Sequence, residues 1–365
     1  MNLRLQKLRK LLTEEKLDAV FISSLPNIIY LSGFSDFSTF DRDGFLLVTK
    51  TKQYIFTHGI YKEAVEQHVK NFTLIDIKRE NTIGQAIKNI VVQEKINLLG
   101  FEAFDLKVNE YDRLIKEIDK NILMPTTIIH QLRIEKTHEE IKAIKKACQL
   151  GDKTFDFIIT KIKLGVTEIE IAVALEFFIK NLGAVLSFDS VIAFGANASK
   201  PHHVPTKKKL QTNSFVLLDF GVKLNNYCSD MTRTIFFGNA SAKQKQVYLS
   251  VLESQQEAIV LIKNNLKTKQ QIIGKQADTV SREYLINKGY PSIPHSLGHG
   301  IGIELHEPPR LTPLSDEILE AGMVFSIEPG IYLPGKFGVR IEDLFAIEAN
   351  KLIQLTNSPK NFIEL

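Results

Sequence analysis

Two short apolar segments, each carrying an aspartate near the turn that joins them, constrain the fold of this chain more than any other feature. The first segment is Phe215–Gly221 and contains Asp219, and the second is Asp230–Phe237. Between them lies Lys223–Asn226, which ends in an asparagine pair, and asparagine is common in tight hairpin turns because it tolerates positive φ. The pattern predicts a β-hairpin in which Asp219 faces Asp230 across the strand ladder.

Like charges directly opposite each other on a sheet repel, so this arrangement favours a bound cation between them. Other segments supply further donors. The stretch His295–Glu307 holds three histidines among glycines, and Glu328 ends an apolar strand. A strand is predicted over Val339–Phe345, where alternation directs Arg340 and Glu342 to the same face. An inward-facing glutamate on a sheet is costly unless it is paired or ligated, which again indicates a metal.

Two aspartates, two glutamates and one histidine form an oxygen-rich donor set. Four carboxylates can offset two divalent cations, and such a set suits Mn²⁺, with Co²⁺ or Zn²⁺ as possible substitutes. Taken singly, each residue also has an ordinary structural interpretation. Asp219 can be a strand-end residue, Glu328 a turn acid, and His295 or His306 a packed or surface histidine.

Composition excludes several classes of function. The chain has 365 residues, of which 44% are hydrophobic and 24% charged, and its net charge of +4 is too small to indicate nucleic-acid binding. Lys207–Lys209 is the densest basic run and is predicted to be a surface turn. The two cysteines are not in a CxxC spacing, the N-terminal segment has no apolar signal core, and no apolar run is long enough to span a membrane. We therefore expect a cytoplasmic protein that does not bind membranes.

The first third of the chain alternates helix-like and strand-like segments, which indicates an α/β domain. The spacing of its leucines predicts an amphipathic helix over residues 2 to about 15. The other predicted elements are a helix over residues 82–94 and strands at 18–22, 45–48, 54–56 and 97–101. A domain boundary is predicted near residues 125–136, and we assign the first domain to residues 1–130.

Residues 131–365 are predicted to form an α+β domain, with helices packed on a mostly antiparallel sheet. Thr137–Glu140 and Thr167–Glu170 are capping boxes, in which threonine and glutamate side chains satisfy free backbone amides at the start of a helix. Two more helices are predicted near residues 242–264 and 267–287.

Taken together, these motifs resemble the creatinase, prolidase and aminopeptidase P family, the "pita-bread" metallopeptidases. The resemblance covers essentially the whole chain, and the matching stretches are Asp219–Gly221, Tyr227–Thr234, His295–Glu307, Glu328–Gly330 and Arg340–Asp343, with Phe194–His202 and Asn27–Phe34 as weaker matches. It implies a C-terminal pita-bread domain of α+β class and an N-terminal α/β creatinase-like domain.

The resemblance also implies the roles of individual residues. Five of them would bind two divalent metal ions: Asp219, Asp230, His299, Glu328 and Glu342. Asp230 and Glu342 would bridge the two ions, Asp219 would bind one of them, and His299 and Glu328 would bind the other. The residues implied on the substrate side are His202, His295, His306 and Arg340. A homodimer is expected by analogy with the family.

The reaction implied by the resemblance is hydrolysis of the bond between an N-terminal residue and a following proline, with a metal-activated water as nucleophile. Glu328 is the candidate proton shuttle, and His295 and His306 would stabilise the developing negative charge or the leaving group. Proline has no N–H and a fixed φ, so this bond requires a pocket adapted to its ring.

Two enzymes of this family fit the motifs. An aminopeptidase P accepts longer peptides, whereas a prolidase accepts only dipeptides and needs a group that binds their free carboxylate. No additional arginine stands out in the sequence for that purpose, so we expect an Xaa-Pro aminopeptidase, with an Xaa-Pro dipeptidase as the alternative. A non-catalytic scaffold or a creatinase-like hydrolase is more remote, because all five ligand types are retained.

Overall fold

The structure is a computed structural model that describes residues 3–365, and it divides into two compact units. The first unit ends at Arg133 and the second runs Ile134–Leu365. Asn2, with which the first helix was predicted to begin, lies outside the described residues. Among those that are described, no helix is both long and apolar enough to cross a membrane.

The first unit is built on a six-stranded mixed sheet with the strand order β4-β3-β2-β1-β5-β6. Its strands are β1 Ala19–Ile22, β2 Gly44–Thr49, β3 Gln53–Thr57, β4 Thr73–Asp76, β5 Leu99–Phe101 and β6 Leu123–Pro125. Its helices are α1 Leu3–Glu14, α2 Leu25–Ser32, α3 Gly59–His68, α4 Ile83–Gln93, α5 Val108–Ile115 and α6 Ile128–Ile134. The predicted α/β class of this part of the chain is confirmed.

The second unit has four long helices, and three of them begin where the sequence predicts. The four helices are α7 His138–Ile159, α8 Glu168–Asn181, α9 Ala242–Thr268 and α10 Gly274–Asn287. Both predicted capping boxes form, with Thr137 ahead of α7 and Thr167 ahead of α8. The predicted start of α10 at residue 267 is wrong, because α9 continues to Thr268 and ends at Lys269, which adopts left-handed φ.

Every strand pair of the second unit is antiparallel, so the predicted α+β class is confirmed. The first seven strands are β7 Val185–Leu186, β8 Val191–Phe194, β9 Ser214–Phe220, β10 Val222–Leu224, β11 Tyr227–Cys228, β12 Met231–Phe237 and β13 Gly298–Gly300. The last six are β14 Glu307–Leu311, β15 Val324–Ile327, β16 Gly330–Leu333, β17 Phe337–Arg340, β18 Asp343–Glu348 and β19 Lys351–Gln354.

Two helix pairs pack on two sheets of this unit, the five-stranded sheet and the three-stranded sheet β12-β9-β8. Apolar side chains of α9 and α10 share one buried cluster with β15 and β18 of the five-stranded sheet. Those of α7 and α8 share another with β8, β9 and β12. Because each helix buries one apolar face, burial of this surface supplies the main stabilisation of the unit.

The predicted hairpin forms, but its register differs from the prediction. Asn225 and Asn226 both have positive φ, at 49° and 71°, as the two central residues of a tight turn. The ladder is therefore centred between these asparagines, and Asp219 pairs with Thr232 rather than with Asp230. Asp219 and Asp230 are diagonal neighbours on the same face of the hairpin, which leaves more room between their carboxylates.

The strand predicted over Val339–Phe345 is wrong as a single element. It is two strands, β17 in a two-stranded sheet and β18 in the five-stranded sheet, with Ile341 and Glu342 between them. The backbone N–H of Glu342 donates to the carbonyl of Thr232, at 3.1 Å. The chain therefore changes sheets at Glu342, which brings this carboxylate next to the hairpin.

Candidate active site

One cavity of about 450 Å³ in the second unit collects every site residue named from the sequence. These residues are Asp219, Asp230, His299, Glu328 and Glu342, together with His202, His295, His306 and Arg340. The carboxylates lie at the ends of strands or just beyond them: Asp230 precedes β12, Glu328 follows β15, and Glu342 precedes β18. Strand ends hold the backbone rigidly while the side chains reach into the cavity.

His299 points one ring nitrogen at two of the carboxylates. Its Nε2 lies 3.6 Å from Oδ2 of Asp230 and 3.5 Å from Oε1 of Glu328. Its Nδ1 lies 3.0 Å from the carbonyl oxygen of Gly300, which can only accept, so Nδ1 carries the proton. Nε2 therefore presents a lone pair towards the acids, as a metal-ligating histidine does.

Asp230 and Glu342 each keep a carboxylate oxygen, Oδ1 and Oε1, that is buried and has no hydrogen-bond partner among the described residues. Donor atoms of these two acids and of His299 lie within 4.8 Å of one another. Burial, together with repulsion among the neighbouring acids, raises the pKa of Asp230 and of Glu342 well above the ordinary values. Buried, mutually repelling carboxylates with free lone pairs fit a divalent cation.

Glu328 is in the same electrostatic environment. Burial raises its pKa to about 8, and the charge of Asp219 adds to the effect while Arg340 opposes it. Burial likewise lowers the pKa of His299 to about 3, with the neighbouring His306 contributing. His299 is therefore neutral at physiological pH, which is the state in which imidazole binds a metal.

Arg340 connects several groups at the floor of the cavity. Its guanidinium forms an ion pair with Asp219 and donates from Nε to Thr232 Oγ1 at 3.1 Å. Thr232 in turn donates to Oε2 of Glu342 at 2.8 Å. Burial raises the pKa of Asp219 although Arg340 opposes this. The network orients two predicted metal ligands that come from different strands.

His295 has hydrogen-bond partners at both ring nitrogens. Its Nδ1 lies 2.8 Å from the carbonyl oxygen of Ser296, so it carries the proton, and its Nε2 accepts from the hydroxyl of Tyr332 at 2.8 Å. Arg340 Nη1 donates to that hydroxyl at 2.8 Å. Burial and the charge of Arg340 lower the pKa of His295 to about 4. His295 is thus a neutral, firmly oriented ring.

The other two histidines are more accessible. The ring of His306 lies edge-to-face with that of His299, with 4.2 Å between centroids, and burial lowers its pKa, with a contribution from Arg310. His202 is exposed and lines the cavity from the loop that follows β8. Both can therefore meet a ligand that enters the cavity.

Two family models match the chain. The model described as the creatinase/prolidase N-terminal domain matches residues 4–134, and that of metallopeptidase family M24 matches residues 142–349. The chain belongs to metallopeptidase family M24. The resemblance inferred from the sequence is therefore confirmed, as is the predicted combination of a pita-bread domain with a creatinase-like domain.

Full-length relatives support the same assignment. The Xaa-Pro dipeptidase of Pyrococcus furiosus is 34% identical over 366 residues, which is 100% of each chain. The structure of the Xaa-Pro dipeptidase from Bacillus anthracis matches with a TM-score of 0.89 and 34% identity over 99% of each chain. That of the X-Pro aminopeptidase from Thermotoga maritima matches with a TM-score of 0.85 and 30% identity, over 96% of this chain and 98% of that one. This M24 protein is a metal-dependent hydrolase.

Glycines allow the strand of His299 to pack tightly in this M24 chain. A Cβ on Gly298 would lie 2.0 Å from the carbonyl oxygen of Ser326, and one on Gly300 would lie 2.1 Å from that of Pro308. Real side chains do not approach backbone so closely, so only glycine fits at either position. The His299 strand, β13, is thereby held between β14 and β15.

Arg310 is a charged wall residue that sequence reasoning missed. It lies on β14 directly opposite His299 of β13, so the two side chains project from the same face of the sheet. It is exposed and lines the cavity, and its charge contributes to lowering the pKa of both His299 and His306. Arg310 lies only four residues after His306, and this closeness could have suggested a place near the site. The strand register that directs its side chain towards the cavity is not visible in the sequence.

Proposed function

We propose that this chain is an Xaa-Pro dipeptidase, which cleaves a free dipeptide that has proline as its second residue. The sequence led us to expect an aminopeptidase because no arginine stood out that could bind the substrate carboxylate. Arg310 on the cavity wall removes that objection, and it is the observation that carries the proposal. The dipeptidase names of the full-length relatives from Pyrococcus furiosus and Bacillus anthracis support the same choice.

Arg310 is the arginine of the cavity wall with capacity to bind a ligand. The guanidinium nitrogens of Arg340 are already engaged by Asp219, Thr232 and Tyr332. Arg310, by contrast, is exposed on the cavity wall beside His306. A planar guanidinium binds a carboxylate through two parallel hydrogen bonds, so Arg310 would select a substrate whose proline ends in a free carboxylate.

The metal-binding part of the proposal uses the five sequence-predicted ligands: Asp219, Asp230, His299, Glu328 and Glu342. The unpartnered oxygens of Asp230 and Glu342 support it, and the oxygen-rich set favours Mn²⁺ over softer metals. Two such cations, when bound, would polarise the scissile carbonyl and lower the pKa of water.

The remaining chemistry is assigned to side chains of this chain. Glu328 would take a proton from the attacking water and deliver it to the departing proline nitrogen, since burial keeps its proton affinity high. His306 is neutral and exposed in the cavity, so its N–H would donate to the oxygen of the scissile bond as charge develops there. His202 would contact the substrate at the cavity mouth, and His295, held by Tyr332, would shape the floor.

The test compares three substrates with the manganese-loaded protein: an Xaa-Pro dipeptide, the same dipeptide with its carboxylate blocked as an amide, and an Xaa-Pro-Yaa tripeptide. We expect the free dipeptide to have the highest kcat/KM. Arg310→Ala should lower kcat/KM for the free dipeptide by about tenfold to a hundredfold, the size expected for a lost charge-assisted contact, and should change the amide little. Arg310→Lys should restore part of the loss, since it keeps the charge without the planar fork.

The competing function is an Xaa-Pro aminopeptidase, which the likeness to the Thermotoga maritima enzyme supports. Equal or faster turnover of the tripeptide by the wild-type protein would favour that function. If Arg310→Ala lowered kcat/KM equally for the dipeptide and its amide, Arg310 would have no role in carboxylate recognition.

A further inference from the structure

A wholly buried acid, Glu168, lies outside the cavity and takes no part in the chemistry described above. It is the first residue of α8, and its side chain has 0% exposure. Glu170, two residues later, is an exposed member of the capping box with Thr167. Two glutamates in one helical turn thus have different roles, since Glu170 caps the helix and Glu168 faces inward.

Glu168 accepts hydrogen bonds from one loop, residues 194–206, at its start, its middle and its end. Oε1 accepts from the backbone N–H of Phe194 at 2.8 Å and from the side-chain amide of Asn197 at 2.9 Å. Oε2 accepts from His203 Nε2 at 2.9 Å, and from the N–H and hydroxyl of Thr206 at 2.9 and 2.6 Å. We call this set of contacts the Glu168 clamp.

The charged carboxylate of the clamp is stabilised by its hydrogen bonds. A buried carboxylate is costly without partners, whereas several hydrogen bonds to its charged form stabilise it. Burial alone would raise the pKa of Glu168, but the bonds from His203, Thr206, Phe194 and Asn197 outweigh it and the pKa is lowered. The carboxylate therefore stays charged and keeps its five donors.

The clamped loop forms one wall of the cavity. Beyond the short 3₁₀ turn Gly195–Ser199, residues 200–213 contain none of the helices or strands given above, and Val204 is 76% exposed. Two neighbouring histidines of this loop both line the cavity, but they differ in exposure: His203 is buried and contacts Glu168, while His202 is exposed. Among the described residues, His202 belongs to no strand. Its position therefore depends on its neighbours: His203 is bonded to Glu168, and the carbonyl of Pro201 accepts a longer bond from Arg340 Nη1, at 3.5 Å.

We propose that Glu168 is a positioning residue that acts through His202: the clamp holds the 194–206 loop in the conformation that presents His202 to the substrate. This rests on the proposed function only in taking the cavity as the substrate site. A glutamine at position 168 has the same size, but its N–H₂ group replaces one of the two carboxylate oxygens. The loop donors that bonded to that oxygen would then face another donor, so part of the loop should be released.

The first arm of the experiment measures loop mobility. Amide hydrogen exchange should become faster across residues 194–206 in Glu168→Gln and stay at the wild-type level in Glu170→Gln, because glutamine also completes a capping box. Thr206→Val removes the shortest bond of the clamp and should have a smaller effect in the same direction. It also serves as the test variant if Glu168→Gln does not fold.

The second arm is a double-mutant cycle with His202→Ala on the metal-loaded protein. Glu168→Gln should lower kcat/KM for the Xaa-Pro dipeptide by about tenfold, the size of one lost charge-assisted hydrogen bond, mainly by raising KM and with no loss of metal. In the His202→Ala background the same substitution should change kcat/KM less than about twofold, because coupled residues are not additive.

The proposal would be overturned by loop exchange in Glu168→Gln that matches that of Glu170→Gln, or by an equal loss of kcat/KM with and without His202. Hydrogen exchange requires no turnover. A wild-type protein that cleaved no Xaa-Pro dipeptide would therefore refute the proposed function alone. Amide hydrogen exchange of residues 194–206 would still test the clamp.

Discussion

Asp230 and Glu342 each bury a carboxylate oxygen that has no partner among the described residues. Leaving such a group unsatisfied costs on the order of 1–3 kcal/mol, and more when it is charged. Thr232 donates to the other oxygen of Glu342, and Nε2 of His299 lies 3.6 Å from the other oxygen of Asp230. At the scale of single residues, two acids of one cavity thus each keep a buried oxygen that a cation could bind.

Glu342→Gln tests this directly. The substitution keeps the size of the side chain and its bond to Thr232 but removes one negative charge, so bound manganese should be lost. Activity should fall by more than the roughly 100-fold that loss of an outer partner of a metal ligand costs. The measurements are metal content by mass spectrometry and kcat/KM for the dipeptide, with a circular dichroism spectrum to establish folding.

The control for this variant is Glu348→Gln, at the far end of β18, where the side chain is part-exposed beside His138. It should retain metal and activity. A Glu342→Gln protein with two metal ions per chain and normal turnover would exclude this acid as a ligand.

The sequence named residues that the structure brings into one cavity, but it did not give their spatial relations. Asp219 and Asp230 were recognised from the hairpin pattern, yet their register depended on which two residues form the turn. Arg310 was missed because only the pairing of β14 with β13 turns it towards His299. Which residues meet across strands is a tertiary property, and a single sequence carries little information about it.

Among single helices and strands, those with a local sequence signal were predicted and those set by distant contacts were not. Capping boxes located the starts of α7 and α8 because their signal is local. The break between β17 and β18 was not predicted, since alternating polarity continues through Ile341 and Glu342. There the backbone N–H of Ile341 donates to Pro329 and that of Glu342 to Thr232. These partners are remote in sequence, so periodicity cannot reveal the change of sheet.

The start of α2 offers a prediction about pH. Backbone N–H groups of Ser23 and Ser24 donate to Oε2 of Glu102, each at 2.7 Å, and Asn27 donates to its other oxygen. Burial nevertheless raises the pKa of Glu102 from 4.5 to about 7, outweighing these bonds. Between pH 4.5 and pH 7, Glu102 holds a proton in the folded state that it has released in the unfolded state. Its contribution to stability is therefore fully present below pH 4.5 and is lost as the pH rises through 7.

Glu102→Gln should therefore become more stable relative to the wild type as the pH rises from 5 to 8. The difference in melting temperature should shift by several degrees, on the order of 2–4 °C per kcal/mol. Thermal unfolding of the full chain, followed by circular dichroism at each pH, measures it. Glu80→Gln, at an exposed site of the same unit, is the control and should follow the wild type. A constant difference across this range would show that Glu102 does not titrate there.

At the scale of the whole molecule, the predicted class of each part is correct, and the site joins distant parts of the second unit. Its acids come from β9, from the residue before β12, from the residue after β15 and from the residue before β18. Four carboxylates gathered in this way oppose folding by repulsion unless a cation neutralises them. Metal binding should therefore stabilise the tertiary structure, and not only activate the enzyme.

Added manganese should raise the melting temperature of the metal-free protein, because a ligand that binds only the folded state stabilises it. The rise should be larger at pH 8 than at pH 6. Glu328 has a pKa of about 8 without metal, so at lower pH a cation must displace its proton. Differential scanning calorimetry at both pH values measures the effect. An equal rise in Glu342→Gln would indicate that manganese binds elsewhere.

The tight fit of β13 also has a consequence for engineering. Substitution at Gly298 or Gly300 would force neighbouring backbone apart, so directed evolution has little freedom on that side. On the wall formed by Pro201–Pro205, Val204 is 76% exposed, belongs to no sheet and is not one of the clamp contacts, so this position can accept new side chains. Libraries that seek a changed preference for the first amino acid of the peptide should therefore diversify position 204 and leave His202, His203 and the glycines fixed.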